Sequence, residues 1–291
     1  RRATRSLSRF PAVTQDLAVV VDNIAAWTTQ NVQYNLSTVT ADASQKASWV
    51  LRNRKGVCDE LTSLFIAMLR SLNIPARFVA GISYTNSPLF TEKWGPHGWA
   101  EVYFPSYGWI PYDVTYGEYG FVDPTHIVAR YSQDAGKITT KFTWRARDVD
   151  VDVLPFKNDV RVEDYGEELV PRIAIAATTL KGSVGFGSHN LVEATVKNLA
   201  NYYQPIDVYM AKTSKMESLD PLKRHLLLTP GEERKVFWLV KVDDDLERNF
   251  LYTFPILVYT LGNISGRTDF SAADGGAMVS TTTVFSDPRS Y

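Results

Sequence analysis

The stretch Gly56-Val57-Cys58-Asp59-Glu60-Leu61 decides how this chain is read, because it holds the single cysteine of 291 residues and sets it where a helix begins. From Leu61 the apolar residues fall at Leu64, Phe65, Met68, Leu69 and Leu72, the spacing of a helix face turned toward a core. Gly56 interrupts whatever precedes it, so Cys58 falls in the first helical turn. Unpaired backbone N–H groups and the positive dipole end at such a position favour an anion and, in general, lower a thiol's pKa. Asn73, tolerant of a left-handed cap, and Pro75 end the helix. A lone thiol there suits a nucleophile, and equally a small buried hydrophobe, so partners must decide.

Working outward, Leu17 to Thr28 reads as a helix with Leu17, Val20, Val21, Ile24 and Trp27 on one face. Residues 31–35 form an extended link. Asp42-Ala43-Ser44-Gln45 has the form of a capping box opening a helix to about Arg54, with Ala43, Ala47, Val50 and Leu51 inward. Trp27 and Trp49 fall on apolar stripes and read as core residues. After the cysteine helix the pattern becomes extended: Ala76–Tyr84, a loop over Thr85–Pro96, His97–Phe104, a turn over 105–108, and Trp109–Val114. Helices followed by an antiparallel sheet predict an α+β first domain. Lys137–Val153 alternates and reads as further edge strands.

An acidic stretch from Asp159 to Pro171 marks a boundary, giving a first domain over 1–160 (core about 15–130, extended strands to about 155) and a second over 171–291. Short strand-like runs recur in the second: Ile173–Thr179, Asn190–Asn198, Ile206–Ala211, Arg234–Val242, Leu251–Leu261 and Met278–Phe285. No helix is evident there, and the rhythm predicts an antiparallel, immunoglobulin-like β-sandwich. Gly182-Ser183-Val184-Gly185-Phe186-Gly187 reads as a flexible link, since it opens no helix and so cannot be a phosphate loop. Asp243-Asp244-Asp245 lacks the spaced ligands of a calcium loop and reads as a solvated turn.

A net charge of -1 with 22% charged residues gives no expectation of nucleic acid as a partner. One cysteine excludes an internal disulfide and a cysteine-based zinc site. No apolar run approaches the roughly 20 residues of a spanning helix. Arg1-Arg2-Ala3-Thr4-Arg5 reads as the edge of a longer protein, so anchoring to a surface or membrane through segments outside this sequence is allowed for. Asn35-Leu36-Ser37 and Asn263-Ile264-Ser265 are glycosylation triplets compatible with an extracytoplasmic or cell-surface setting.

A thiol nucleophile needs a base, and the base an orienting acceptor. Of four histidines, His189 and His225 fall in the second domain, leaving His97 and His126. His97 is the better base, because Asp113 lies across the hairpin turn from it; His126 is the alternative. Register is the test. A four-residue loop sets His97 and Asp113 on opposite faces of the sheet, whereas a three- or five-residue loop, or a bulge, sets them on the same face. The odd register is predicted, with the cysteine helix end-on to that face.

The segment Gly56–Glu60, followed by Leu72-Asn73-Ile74-Pro75-Ala76-Arg77-Phe78-Val79-Ala80-Gly81, resembles the nucleophile region of the transglutaminase-like superfamily. His97–Tyr103 is similar to the histidine strand of that family, and Gly108–Thr115 to its aspartate strand. Asp123-Pro124-Thr125-His126-Ile127 is similar to a short motif that follows in microbial members. The resemblance covers about residues 15–130. It implies a papain-like α+β core and a triad of Cys58 as nucleophile, His97 as general base and acid, and Asp113 as the group orienting His97. Val114 departs from the proline usual there. No residue matches the upstream tryptophan of animal transglutaminases, which leaves the backbone N–H of Cys58 as oxyanion donor. The expected activity is thiol-dependent acyl transfer on a peptide or protein amide, as cysteine peptidase/amidase hydrolysis or transglutaminase transfer, with no cofactor and no metal. The rival expectation is a non-catalytic, surface-associated binding or scaffold protein that keeps the fold.

Overall fold

In a computed structural model the chain divides into two units, Arg1–Tyr165 and Gly166–Tyr291. The described residues are 16–38, 44–105, 107–136, 145, 147, 159–164, 166 and 171–287. The expected edge strands over Lys137–Val153 lie outside them, apart from two isolated residues.

The first unit opens with helix α1 (Leu17–Asn31), whose N-cap Asp16 accepts the Ala18 N–H at 2.9 Å. Val21 and Ile24 are buried, with Leu17, Val20 and Trp27 packed beside them. Helix α2 (Ala47–Asn53) begins later than the proposed capping box. Lys46 is its N-cap and makes no side-chain bond, while the Gln45 N–H goes instead to Glu60 Oε1 at 2.8 Å. Asp42 and Ala43 lie outside the described residues. The helix closes at Arg54, which takes a left-handed φ of 56°. Helix α3 (Cys58–Ser71) ends as predicted, with Asn73 at φ 61°.

Two short strands, β1 (Gln33–Tyr34) and β2 (Lys55–Gly56), pair in parallel just before α3. The main sheet holds β3 (Ala76–Tyr84), β4 (Trp94–Phe104), β5 (Gly108–Asp113), β6 (Glu118–Tyr119) and β7 (Ile127–Ser132), in the order β6-β5-β4-β3-β7. β4 begins three residues before His97, inside the stretch read as loop. The apolar face of α3 packs on β3 and β4, burying Leu61, Leu64, Phe65, Met68 and Leu69 against Phe78, Ala100, Val102 and Tyr112. Each large aliphatic or aromatic side chain buried there contributes about 1.5–3 kcal/mol. That packing fixes where Cys58 emerges.

The second unit holds two sheets around one apolar core. One contains β8 (Ile173–Thr179), β10 (His189–Asn198), β12 (Met216–Ser218) and β14 (Glu233–Val242). The other contains β9 (Ser183–Gly185), β11 (Gln204–Ala211), β13 (Lys223–Leu228), β15 (Leu251–Tyr259) and β16 (Ser265–Ala273). Trp238 and Val240 from β14 and Phe254, Val258 and Phe270 from β15 and β16 share the core. Two expectations are corrected. Met278–Phe285 is not a strand, because Ser280 accepts the Thr283 N–H at 3.1 Å and caps helix α4 (Thr281–Ser286). The supposed flexible link contains β9, which pairs in parallel with Ser271–Ala273 of β16. Among the described residues no helix is long and apolar enough to cross a membrane.

Candidate active site

Cys58 is the first residue of α3, half-buried and free. Its position is set from three directions. The β1–β2 ladder pairs Tyr34 with Gly56, and the Asn35 N–H reaches the Gly56 carbonyl at 2.9 Å. Glu60, buried at the third helical position, accepts the Val57 N–H at 3.0 Å, the Thr38 hydroxyl at 2.6 Å and the Gln45 N–H. Val57 has no side-chain acceptor, so only the returning half of a capping box is made. Thr62 donates to the Gly98 carbonyl at 3.0 Å, tying the helix start to the strand that carries His97.

The β4–β5 pairing sets Phe104 opposite Gly108 and Ala100 opposite Tyr112, leaving a three-residue loop. The odd register predicted from the sequence is therefore present, and Asp113 turns to the same face as His97 and Trp99. His97 Nε2 lies 2.6 Å from Asp113 Oδ2, with both residues buried. Asp113 Oδ1 accepts the backbone N–H groups of Thr115 at 2.7 Å and Tyr116 at 3.1 Å. The His97 ring stacks on Tyr116, centroids 4.5 Å apart at 17°, and lies near-parallel to Trp99.

Burial by itself pulls the His97 pKa down, but the Asp113 carboxylate beside it, helped by a hydrogen bond to Cys58, raises it to about 11. Burial in turn pushes Asp113 up, yet the His97 charge and the hydrogen bonds from both histidines and the backbone hold it well below the usual carboxylate range. The pair is an imidazolium–carboxylate pair at neutral pH. Cys58 and His97 open on one cleft of about 540 Å³, lined also by Tyr34, Tyr84, Thr115 and Tyr116. A thiol and an imidazole thus open on one cleft, with a carboxylate fixed behind the imidazole, the residue types that acyl transfer uses.

Three residues of the site carry little signal in the sequence. Tyr34, read only as part of a link, faces the cleft, and burial followed by proximity to Cys58 keeps its phenol protonated. Glu60 anchors the helix start. His126, weighed as a substitute base and as part of the motif over residues 123–127 but given no place beside Asp113, bonds to Asp113 Oδ2 at 3.1 Å. Among the described residues, two triplets bring ligand-type atoms within 4.8 Å, namely His97/Asp113/His126 and Glu118/Asp123/His126. Their facing atoms bond to one another and to backbone N–H groups, so the chemistry of both sets is that of a hydrogen-bonded network.

Residues 11–114 match the family described as Transglutaminase-like superfamily, a span that includes Cys58, His97 and Asp113. The protein YebA of Bacillus subtilis is 29% identical over 111 residues, 35% of this chain and 15% of YebA. A protein-glutamine gamma-glutamyltransferase of Pseudomonas aeruginosa is 26% identical over 107 residues, 35% of this chain and 16% of that enzyme. A solved structure of a candidate cysteine protease from Cytophaga hutchinsonii has a TM-score of 0.38 at 25% identity, covering 46% of this chain and 42% of the other. The chain spans about one sixth of the length of those first two relatives. Over residues 11–114, which run through all three candidate residues, the first unit is similar to the transglutaminase-like superfamily.

Proposed function

We propose that the first unit is a thiol-dependent acyl-transfer enzyme acting on a peptide or protein amide. The observation that carries this reading is the 2.6 Å His97–Asp113 contact, with Cys58 and the same imidazole opening on one cleft. Cys58 is the nucleophile: as the thiolate paired with the His97 imidazolium, its sulfur attacks the amide carbonyl, forming a tetrahedral oxyanion. The His97 imidazolium gives its proton to the departing amine, and the C–N bond breaks to leave a thioester. Neutral His97 then takes a proton from the second nucleophile. Water yields the free acid, and a lysine amine yields a cross-link. Asp113 holds the ring and stabilises its charged form. The Cys58 backbone N–H and the protonated Tyr34 phenol are the donors available to the oxyanion.

Hydrolysis is the reading we favour over transfer. We further infer that the second unit is an immunoglobulin-like β-sandwich, supported by two sheets sharing one core, and that the protein works outside the cytoplasm or at a cell surface. The decisive test profiles wild type and Cys58→Ala on peptide and amine-acceptor libraries with mass-spectrometric readout. Cleaved peptides that vanish with Cys58→Ala support hydrolysis, and amine adducts that vanish support transfer. Wild type and variant that are equally silent return the first unit to a scaffold role.

A further inference from the structure

His126 sits behind Asp113. Its side chain is fully buried, and it does not line the cleft that Cys58 and His97 share. Both ring nitrogens face acceptors. Nε2 is 3.1 Å from Asp113 Oδ2, and Nδ1 is 3.2 Å from both the carboxylate and the carbonyl oxygen of Asp123, with Glu118 Oε2 at 3.9 Å. A neutral imidazole would turn a lone pair toward one of these oxygens, so the ring that satisfies the geometry is an imidazolium with two donors. Trp99 meets it edge-on at 5.0 Å and closes that side. The approach of this segment is built into the sheet: a Cβ on Gly81, which pairs with His97, would lie 2.1 Å from the carbonyl oxygen of Ile127, the residue after His126.

We propose that His126 is a positioning residue for the His97–Asp113 pair: a buried imidazolium that pins the carboxylate and, by its charge, loosens that carboxylate's hold on the His97 proton. The inference rests on the acyl-transfer reading above. The pinning follows from counting donors. Asp113 has four acceptor directions, two taken by backbone N–H groups and two by the histidines. Without His126, the second contact to Oδ2 is lost and the carboxylate gains freedom. The loosening follows from charge: the two imidazole centroids are 5.6 Å apart, close enough for each positive ring to disfavour the other's proton. That matters because a residue that must give up and recover a proton works best with its pKa near the ambient pH. The groups facing His126 are Asp113, Glu118, Asp123, His97 and Tyr116; the three carboxyl groups favour its charged form and His97 opposes it.

The test uses the whole chain labelled with 15N-histidine, with Cys58 alkylation by iodoacetamide measured in parallel. In wild type at pH 7, both His126 nitrogens should carry protons. His126→Gln keeps an N–H donor and removes the charge. It should keep the alkylation rate within about three-fold while His97 holds its proton to a pH about one unit higher. His126→Leu removes donor and charge together, and alkylation should slow about ten-fold or more. A bare ring nitrogen on His126 in wild type, or a His97 titration unmoved in His126→Gln, overturns the proposal. The wild-type spectrum gives that reading even where the leucine variant does not fold. Alkylation indifferent to His97→Ala would instead overturn the acyl-transfer reading, so the two failures are distinguishable.

Discussion

Asp113 has no exposed surface and still keeps its charge, because four donors converge on its two oxygens and repay the loss of water. The same contacts tie stability to pH. The His97 folded value of about 11 lies above the ordinary 6.5, so its contribution is fully present below pH 6.5 and is lost as pH rises toward 11. Asp113 is lowered from 3.8, so its contribution is present above that value and is lost as pH falls. Glu118, pushed by burial from 4.5 up to about 7, costs stability progressively between those two values. Urea midpoints should therefore be highest near pH 5 and decline toward pH 10, with a shallower decline above pH 7 in His97→Gln. A wild-type midpoint that stays level from pH 7 to 10 would contradict the ion pair. At this scale the sequence announced His97 and Asp113, because hairpin register alone decides whether they can meet. It held no sign of His126 at the second position on Oδ2, since that contact depends on a loop folding back behind the sheet.

Elements, rather than single side chains, bring the three segments to one place. β7 lies against β3 at a bulge between Ala80 and Gly81, and it lies that close because residue 81 has no side chain. A Cβ there would meet both the Ile127 carbonyl and the Trp99 ring, at 2.1 and 2.7 Å, and the first of these is backbone that cannot swing aside. Gly81→Ala is thus expected to destabilise the first unit by about 1–3 kcal/mol and to slow Cys58 alkylation together with it, as β7 carries His126 away. Chemical denaturation and alkylation rates on the same sample check this; a variant with unchanged midpoint and rate would show that β7 is not held by this contact. Glu60→Ala should cost about 3 kcal/mol by the same assay, because it strips the acceptor from three donors around the helix start. The helix periodicity after Cys58 and the Asn73 stop were legible, being local patterns. The later start of α2 was not, because the Gln45 N–H is satisfied by Glu60, fifteen residues away, and not by a cap of its own. Two-residue strands such as β1 carry no alternation to read.

Across the whole chain, each unit draws its buried core from its own residues, 21–119 in the first and 173–284 in the second. Strands of the second unit were readable where large side chains alternate, as in Glu233–Val242, with Val236, Trp238, Val240 and Val242 inward. Ser265–Ala273 escaped because its inward residues include Gly266 and Ala272, too small to register as an apolar stripe. Gly266 is small for a reason: a Cβ would come within 2.9 Å of the β8 backbone at Ile175 and Ala177, where the two sheets draw close. Small residues that permit close approach look, in sequence, like residues that bury nothing. With Trp238, Phe254 and Phe270 fully buried, the second unit has what a domain of its size needs to fold alone. Residues 166–291 expressed alone should therefore unfold in one cooperative transition, with Trp238 shielded from fluorescence quenchers until that transition. Gly266→Val should lower the midpoint of the isolated segment, since the added branch has no space between the sheets. A segment that binds hydrophobic dyes and melts without a transition would mean that this core is completed by something outside residues 166–291.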